Sequence, residues 1–379
     1  MRSLLRATAL LSIVLGLLGC TYPTSPPMAA TLPPLPSPSA TATELPQLLP
    51  HALYFLSERE GSAAVWRLAA DGVSLQQMTE AEQAVAEFDV APNGTLVYRI
   101  ENRIYLHGDE SPKILVDNAS ADSSSAAFAY LEAVRAPRVA PNGATLAYAQ
   151  GGLWLFDLAS GNALRVLENQ IEQDGESITP VELYSPVAWS PSGLQLLVSI
   201  ASPEGSGLGV WDASTSSFVR LQGEAVLCCQ ASWAPDNQSV LLASVALGLV
   251  EPGLWRFDVA ATEPTALIEP HTGEAYHFVG WPLQLPNGDL QYFYASSVDL
   301  PESDLPLYMV RSAADGAGSR SQLRDDAFSI REALWAADGS LALVVQNATG
   351  SAGPIVLAHS DGRPLQVLVD FGRELRWGE

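Results

Sequence analysis

The 379-residue chain carries 42 acidic against 19 basic residues, a formal net charge of −23. A surface of this sign repels phosphate backbones and anionic membranes, which excludes nucleic acid as an expected partner. Hydrophobic residues make up 47% of the chain and charged residues only 16%. That apolar content excludes a disordered chain and predicts a sizeable core.

The first 19 residues have the composition of an export signal. Arg2 and Arg6 precede an apolar run from Ala7 to Gly19. At about 13 residues this run is shorter than the roughly 20 that cross a bilayer as a helix. We therefore predict a signal peptide over residues 1–19.

The end of this signal, Leu17-Leu18-Gly19-Cys20, resembles the bacterial lipobox. The resemblance implies cleavage before Cys20, a diacylglyceryl thioether on its sulfur and an acyl chain on its amine, and several acyl chains anchor a protein stably. The expected location is extracytoplasmic, either on the outer face of the plasma membrane or in the periplasm or outer membrane. An unmodified signal peptide that contains a cysteine is the alternative.

Residues 20–50 follow as a segment rich in Pro, Ser and Thr. This composition buries little apolar surface and favours extended, polyproline-like conformations. We predict that it tethers a folded body, residues 51–379, to the lipid on Cys20.

One sequence motif recurs through residues 51–379. It consists of an apolar pair, usually a Pro, a turn dipeptide and an apolar strand. The six copies have their turn residues 49, 50, 44, 51 and 51 positions apart: Asn93, Asn142, Ser192, Asp236, Asn287 and Asp338. Each copy precedes a short strand that usually contains an aromatic residue, such as LWLFD from Leu153, and then a weaker strand. The pattern predicts an antiparallel, four-stranded meander of about 48 residues per repeat.

Such sheets bury both faces by packing against neighbours around an axis. The first unit, which begins at Leu53, lacks the Pro-turn strand, and the chain ends in a strand whose Trp377 matches Trp189, Trp233 and Trp335. The sequence therefore predicts an all-β fold, a seven-bladed β-propeller whose ring is closed by the C-terminal strand. Six or eight blades are the alternatives.

The Trp-Ser-Pro turn phrase followed by an aromatic strand, as in VAWSPSGLQLLVS from Val187, resembles the TolB-type, WD40-like repeat of bacterial propellers. The resemblance covers nearly the whole folded body and implies the fold rather than a function. Two departures from the family are a missing N-terminal domain before the propeller and a missing hydrolase segment with a G-x-S-x-G motif. A Tol-system role and a peptidase activity are therefore not expected.

No catalytic or metal-binding motif stands out, so no cofactor is expected. We predict a non-enzymatic binding module or scaffold for protein partners or a small anionic ligand. The alternative is a small-molecule enzyme or sensor, lactonase-like or lyase-like, that uses the axial funnel.

Propellers usually bind ligands at a mouth of that funnel. The position four residues before each Trp-equivalent predicts a ring that includes three arginines and a histidine: Ala86, Arg135, Ser185, Cys229, His277, Arg331 and Arg373. Guanidinium groups favour a carboxylate ligand. The alternative is that these arginines pair with Glu87, Glu332 and Glu374. Two long loops, 118–134 and 168–184, are expected to overhang the same mouth.

Cys228 and Cys229 are adjacent near the start of an inner strand. In an oxidising compartment they form a candidate vicinal disulfide. The alternative is two small apolar residues that face opposite sides of the strand.

Overall fold

Apolar alternation bounded by Asn-Gly and Asp-Gly turns produces antiparallel strands along the whole folded body. The computed structural model describes residues 47–379 except 60, 81–82, 109–110, 126, 175–176, 223–229, 245–252, 262–263, 299–304, 317–319, 349 and 351. These residues belong to one compact unit that begins at Leu45. They contain 29 strands and a single π-helical turn, Phe128–Glu132, which confirms the all-β prediction.

The first half of the described chain supplies strands β1 to β16. In chain order these are β1 Ala52–Ser57, β2 Ala64–Leu68, β3 Leu75–Gln77, β4 Val85–Val90, β5 Leu96–Ile100, β6 Arg103–Leu106, β7 Lys113–Asp117, β8 Arg135–Val139, β9 Thr145–Ala149, β10 Gly152–Asp157, β11 Ala163–Glu168, β12 Gln170–Asp174, β13 Ser177–Trp189, β14 Gln195–Ser202, β15 Gly205–Asp212 and β16 Ser217–Arg220.

The second half supplies strands β17 to β29. These are β17 Ser232–Trp233, β18 Ser239–Ser244, β19 Gly253–Asp258, β20 Pro264–Ile268, β21 His271–Thr272, β22 Ala275–Gln284, β23 Leu290–Ser297, β24 Leu307–Ser312, β25 Ser321–Phe328, β26 Ile330–Trp335, β27 Leu341–Gln346, β28 Gly353–His359 and β29 Gln366–Gly378.

These strands form sheets in which sequence neighbours pair antiparallel. Three sheets have four strands, β4–β7, β8–β11 and β17–β20, and two have five, β12–β16 and β21–β25. The remaining sheet runs in the order β26-β27-β28-β29-β1-β2-β3. The segment 168–184, expected as a loop, instead forms most of the β12–β13 hairpin, where Glu172 pairs with Thr179.

One long strand joins the last repeat to the first. The N-terminal half of β29 pairs with β28, as at Val369 and Ile355. Its C-terminal half pairs with β1, where Trp377 lies opposite Leu53. The same 13-residue strand is therefore the outer strand of one four-stranded unit and the first strand of the next.

The first strands of the units lie side by side. We call β4, β8, β13, β17, β22, β26 and the C-terminal half of β29 the inner strands. Along the chain each inner strand contacts the next, and β29 contacts β4.

The core lies between neighbouring sheets. Val97 and Ile104 of one sheet pack against Leu146 and Tyr148 of the next, and all four are buried. Complete burial of such a side chain stabilises the folded state by about 1.5–3 kcal/mol. The core also reaches Leu49, which is 2% exposed. The N–H groups of Leu48 and Leu49 bond to Ala70 O, so the end of the expected tether packs on the sheets.

The recurring tryptophans link one inner strand to the preceding one. Trp189 donates its indole N–H to Arg138 O at 3.0 Å, and Trp233 donates to Ala188 O at 3.1 Å. Trp335 donates to Trp281 O at 2.7 Å, and Trp377 to Trp335 O at 2.8 Å. A buried indole N–H needs such an acceptor, so each tryptophan both fills space between sheets and joins them. Within the described ranges, no helix is long and apolar enough to cross a membrane.

Candidate functional site

A cavity of about 1050 Å³ lies between the inner strands. All seven inner strands, or the residues directly before them, contribute to its wall. Its described charged residues are four arginines and three acids: Arg138, Arg331, Arg373, Arg376, Asp89, Glu332 and Glu374. In a chain with a net charge of −23, this wall is slightly positive. The cavity is therefore the candidate site for an anionic ligand.

A recurring backbone irregularity shapes this wall. Ala136, Gln230 and Glu374 each lie three residues before a Trp-equivalent position, and their φ angles are 50°, 64° and 56°. The pairing register of β8 shifts at the same place, between Arg135 and Arg138. Left-handed conformations are unusual for residues other than glycine, and a β-bulge re-aims neighbouring groups. The bulge turns backbone N–H groups toward the preceding inner strand.

Carboxylates on that preceding strand accept these N–H groups. Glu332 Oε2 and Oε1 accept the N–H of Glu374 and Leu375, each at 2.7 Å. Glu87 Oε2 accepts the N–H of Ala136 at 3.0 Å. Charge-assisted bonds of this kind are among the stronger hydrogen bonds in proteins. Glu87 and Glu332 therefore fix the relative positions of neighbouring inner strands.

Asp89 joins three inner strands in a similar way. From β4, its Oδ2 accepts the N–H of Val139 in β8 at 2.8 Å. Its Oδ1 accepts Nε–H of Arg376 in β29 at 2.9 Å. Asp89 is buried and the side chain of Arg376 is 30% exposed, so this ion pair is partly shielded from solvent screening.

Arg138 is held by backbone carbonyls instead of an acid. Its Nε donates to Val187 O at 2.7 Å and its Nη1 to Pro137 O at 2.8 Å. No described carboxylate forms an ion pair with this guanidinium. The first of these bonds links β8 to β13, so Arg138 also connects two inner strands.

Burial dominates the protonation equilibria on the wall. It raises the pKa of Glu332, and the backbone N–H bonds and the charge of Arg376 only partly oppose this effect. Burial also raises the pKa of Glu374. Burial, followed by the like charge of Arg376, lowers the pKa of Arg138. For Arg376, burial acts in the same downward direction, but Asp89 and Glu332 outweigh it and the pKa is raised.

Two of the predicted ring residues lie on the cavity wall. Arg373 Nη1 donates to Glu374 at 2.6 Å, and its Nη2 lies 3.9 Å from Glu58. Arg331 is exposed, and its Nη2 donates to Ala348 O at 3.2 Å. Arg373 therefore forms an ion pair with a neighbouring acid, as the alternative expected. Glu332, in contrast, bonds to the β29 backbone and not to Arg331.

The structure does not place His277 on the wall, which corrects the expected ring. Its Nδ1 lies 2.7 Å from Tyr294 Oη and its Nε2 lies 3.0 Å from Thr272 Oγ1, and His277 is not among the described residues of the wall. In four other repeats Pro follows the Trp-equivalent residue by two positions, as Pro191 follows Trp189, but Pro286 follows Trp281 by five. Counting back from Trp281 therefore selects a position too far from the turn.

Arg135 is also not among the described residues of the wall. It precedes the Ala136 bulge, and its Nε is buried without a hydrogen-bond partner. The bulge lies between Arg135 and the position that contributes Arg138 to the cavity. Three further predicted residues, Cys20 and the candidate disulfide pair Cys228 and Cys229, lie outside the described residues, so they stay predictions.

The sequence reasoning missed Asp89, Arg138 and Arg376 as wall residues. Each directly precedes a Trp-equivalent residue, namely Val90, Val139 and Trp377. A charged residue between apolar ones at the same repeat position was the available signal. Among the described side chains, no group of three or more His, Cys, Asp or Glu is arranged to hold a metal ion.

Comparison with known proteins supports the fold. No protein-family model and no curated protein matches the sequence. A puromycin hydrolase structure matches with a TM-score of 0.57 and 16% identity, over 86% of this chain and 53% of that one. An oligogalacturonate lyase in complex with manganese matches with a TM-score of 0.55 and 11% identity, over 84% and 85% of the two chains.

TolB from Acinetobacter baumannii is also similar, with a TM-score of 0.44 and 13% identity over 86% of this chain and 82% of that one. At these identities, likeness to solved structures shows the fold alone. The class of protein that the sheets and the two matches with TM-scores above 0.5 define is the β-propeller, as the repeat predicts.

Proposed function

We propose that this protein is a lipid-anchored, extracytoplasmic β-propeller that binds a partner protein or a small anionic ligand in its axial cavity, without catalysing a reaction. The observation that carries the proposal is the cavity itself. Pockets of about 300–1000 Å³ with a few fixed polar groups are typical ligand sites. Here hydrogen bonds to backbone groups hold Asp89, Arg138 and Glu332 in place before any ligand arrives.

The proposed ring has seven blades closed by β29. Seven inner strands surround the cavity, and each contacts the next. The pairing of β29 with both β28 and β1 supports the closure. Closing the ring in this way removes a free sheet edge, which would otherwise favour aggregation.

The anchor rests on Cys20 and its lipobox-like context. Because thioether formation needs the Cys20 sulfur, Cys20→Ser is expected to leave an unprocessed precursor or to release the protein into the soluble fraction. A Cys20→Ser variant that is still cleaved and still sediments with membranes would remove the anchor from the proposal.

The binding role is tested by filling the cavity. Ala188 lies on the wall, one residue before Trp189, and the corresponding position holds Arg138 or Leu334 in other inner strands. The backbone there accommodates larger side chains, so Ala188→Trp is expected to occupy the cavity without unfolding the sheets. Its control is Leu164→Trp, because Leu164 is 66% exposed on the outer strand β11.

Wild type and both variants, each with the native anchor, are used to capture partners from detergent-solubilised membranes of the source organism. We expect Leu164→Trp to retain the wild-type partners and Ala188→Trp to lose them. Equal capture by folded Ala188→Trp would contradict binding in the cavity.

Metal analysis and turnover measurements address the enzymatic alternative. We expect no stoichiometric metal in the purified protein. Stoichiometric Ca²⁺ or Zn²⁺ would favour a lactonase-like or lyase-like enzyme instead.

A further inference from the structure

Two arginines flank Asp89 on the cavity wall. Arg376 bonds to Asp89 Oδ1, and Arg138 directly precedes Val139, whose N–H bonds to Asp89 Oδ2. The like charge of Arg376 contributes to the lowered pKa of Arg138, as expected for neighbouring guanidinium groups. Both arginines line the same cavity, and Asp89 of β4 bonds to the two strands that carry them, β8 and β29.

Within the part of the chain that the structure describes, each guanidinium has one nitrogen without an acceptor. Arg138 uses Nε and Nη1 for Val187 O and Pro137 O, and Arg376 uses the same two atoms for Asp89 and Leu375 O at 2.9 and 2.8 Å. Neither Nη2 donates to a described residue. Because the other nitrogens are bonded, both side chains are already oriented. A ligand that binds there loses little additional side-chain freedom.

The charge of the wall selects the kind of anion. The described charged residues of the wall are four arginines and three acids, Asp89, Glu332 and Glu374. This small positive excess favours a singly charged group, since a phosphate dianion would meet repulsion from three carboxylates. A carboxylate also matches the planar donor geometry of guanidinium groups.

We propose that Nη2 of Arg138 and Nη2 of Arg376 form a subsite for the carboxylate of a ligand in the axial cavity. The subsite deepens the proposed binding function and rests on it. Asp89 is a positioning residue, because it fixes Arg376 and the backbone of Val139. Trp189 and Trp377 line the same cavity and offer apolar surface to the rest of the ligand.

Calorimetric titration with small probes tests the subsite. The probes are acetate, inorganic phosphate, acetyl-trialanine with a free C-terminal carboxylate and the same peptide as its carboxamide, all at constant ionic strength. We expect the peptide acid to bind more tightly than its carboxamide and more tightly than phosphate. Binding of acetate as tightly as the peptide acid would assign the site to free small acids rather than to a peptide terminus.

Arg138→Met removes the guanidinium group and is expected to weaken carboxylate binding about 10- to 100-fold, the usual loss for one charged hydrogen bond. Arg138→Lys keeps the positive charge but lacks the planar guanidinium group, and we expect it to bind the peptide acid at least about 3-fold more weakly than wild type. If Arg138→Met does not fold, the affinity of Arg138→Lys for the peptide acid tests the subsite instead. The matched control is Arg165→Met, because Arg165 lies on the outer strand β11 and pairs with Glu168.

The subsite is refuted if the acid and carboxamide bind equally, or if folded Arg138→Met and Arg138→Lys both retain wild-type affinity for the acid. Failure of the subsite differs from failure of the proposed function. In the first case, Ala188→Trp still loses captured partners although carboxylate probes do not bind. In the second, the probes bind and depend on Arg138, but partner capture is unaffected by Ala188→Trp.

Discussion

Glu332 shows how one side chain fixes two inner strands. Its carboxylate accepts two N–H groups at the β29 bulge, and those two bonds replace the strand pairing that the bulge interrupts. A buried donor without an acceptor costs about 1–3 kcal/mol. We therefore expect Glu332→Ala to lower the free energy of unfolding by about that amount in urea titration. Glu168→Ala, at an exposed ion pair, is expected to change it by less than about 0.5 kcal/mol.

The pH dependence of this site has a definite sign. Burial raises the pKa of Glu332 above its ordinary value of 4.5, despite the charge of Arg376. A group with a raised folded-state pKa stabilises the folded state fully below the unfolded pKa and loses that contribution as pH rises through the folded pKa. We expect the stability of wild type relative to Glu332→Gln to fall from about pH 4.5 upward and then level off. A relative stability that rises over this interval would contradict the assignment.

The inner strand, with its bulge, is the element that builds the site. Ala136 adopts a φ of 50°, and this left-handed conformation costs a residue with a Cβ atom about 1–2 kcal/mol of conformational free energy. Ala136→Gly is therefore expected to leave stability unchanged or to raise it by up to about 1 kcal/mol. Ala136→Val, with a β-branched side chain, is expected to lower it by about 1–3 kcal/mol. Thermal unfolding measures both variants.

Ala147 provides the control for this prediction. It is completely buried and lies in the regular strand β9. Ala147→Gly is expected to destabilise by about 1 kcal/mol. Similar losses for Ala136→Gly and Ala147→Gly would mean that the left-handed conformation at Ala136 is wrong.

The sequence predicts the strands much better than the bulges. Turn dipeptides and the repeated tryptophans indicate where each sheet begins, and Trp189 and Trp377 occupy equivalent positions as expected. The positive-φ residues three positions before Val139, Trp233 and Trp377 are Ala136, Gln230 and Glu374, none of which is a glycine. Alternation with a period of two therefore does not continue through the bulge, and the residue just before the bulge lies on the wall in β29, as Arg373, but not in β8. Arg135 and Arg138 show the consequence, since only the second lies on the cavity wall.

The β12–β13 hairpin was missed for a different reason. Strand β12 is largely exposed, with burial on neither face, and Glu172, Gln173 and Asp174 occupy it. Without a buried face there is no apolar alternation to indicate a strand. Backbone pairing alone, as between Glu172 and Thr179, distinguishes this segment from a loop.

At the scale of the whole molecule, stability depends on the pairing of β29 with β1. Deleting residues 371–379 removes this pairing together with the buried Leu375 and the half-buried Trp377. Loss of one large buried side chain typically costs about 3–5 kcal/mol, and the deletion exposes β1 as an edge. We expect a large fall in thermal stability and aggregation in light scattering.

Deleting residues 1–44 is the matched control. These residues lie outside the compact unit that begins at Leu45. The shortened protein is expected to unfold at the wild-type temperature and to show no more aggregation in light scattering than wild type. Equal behaviour of the two truncations would contradict the proposed closure of the ring.

The central claim is that ligands bind in the axial cavity between the inner strands, with a carboxylate at Arg138 and Arg376. An experimental structure of the protein saturated with acetyl-trialanine tests it most directly. We predict the peptide carboxylate at hydrogen-bond distance, about 2.7–3.2 Å, from Nη2 of both arginines, with the remaining residues against Trp189 or Trp377. A peptide bound elsewhere on the sheets, or a cavity that holds only water at saturation, would contradict the claim.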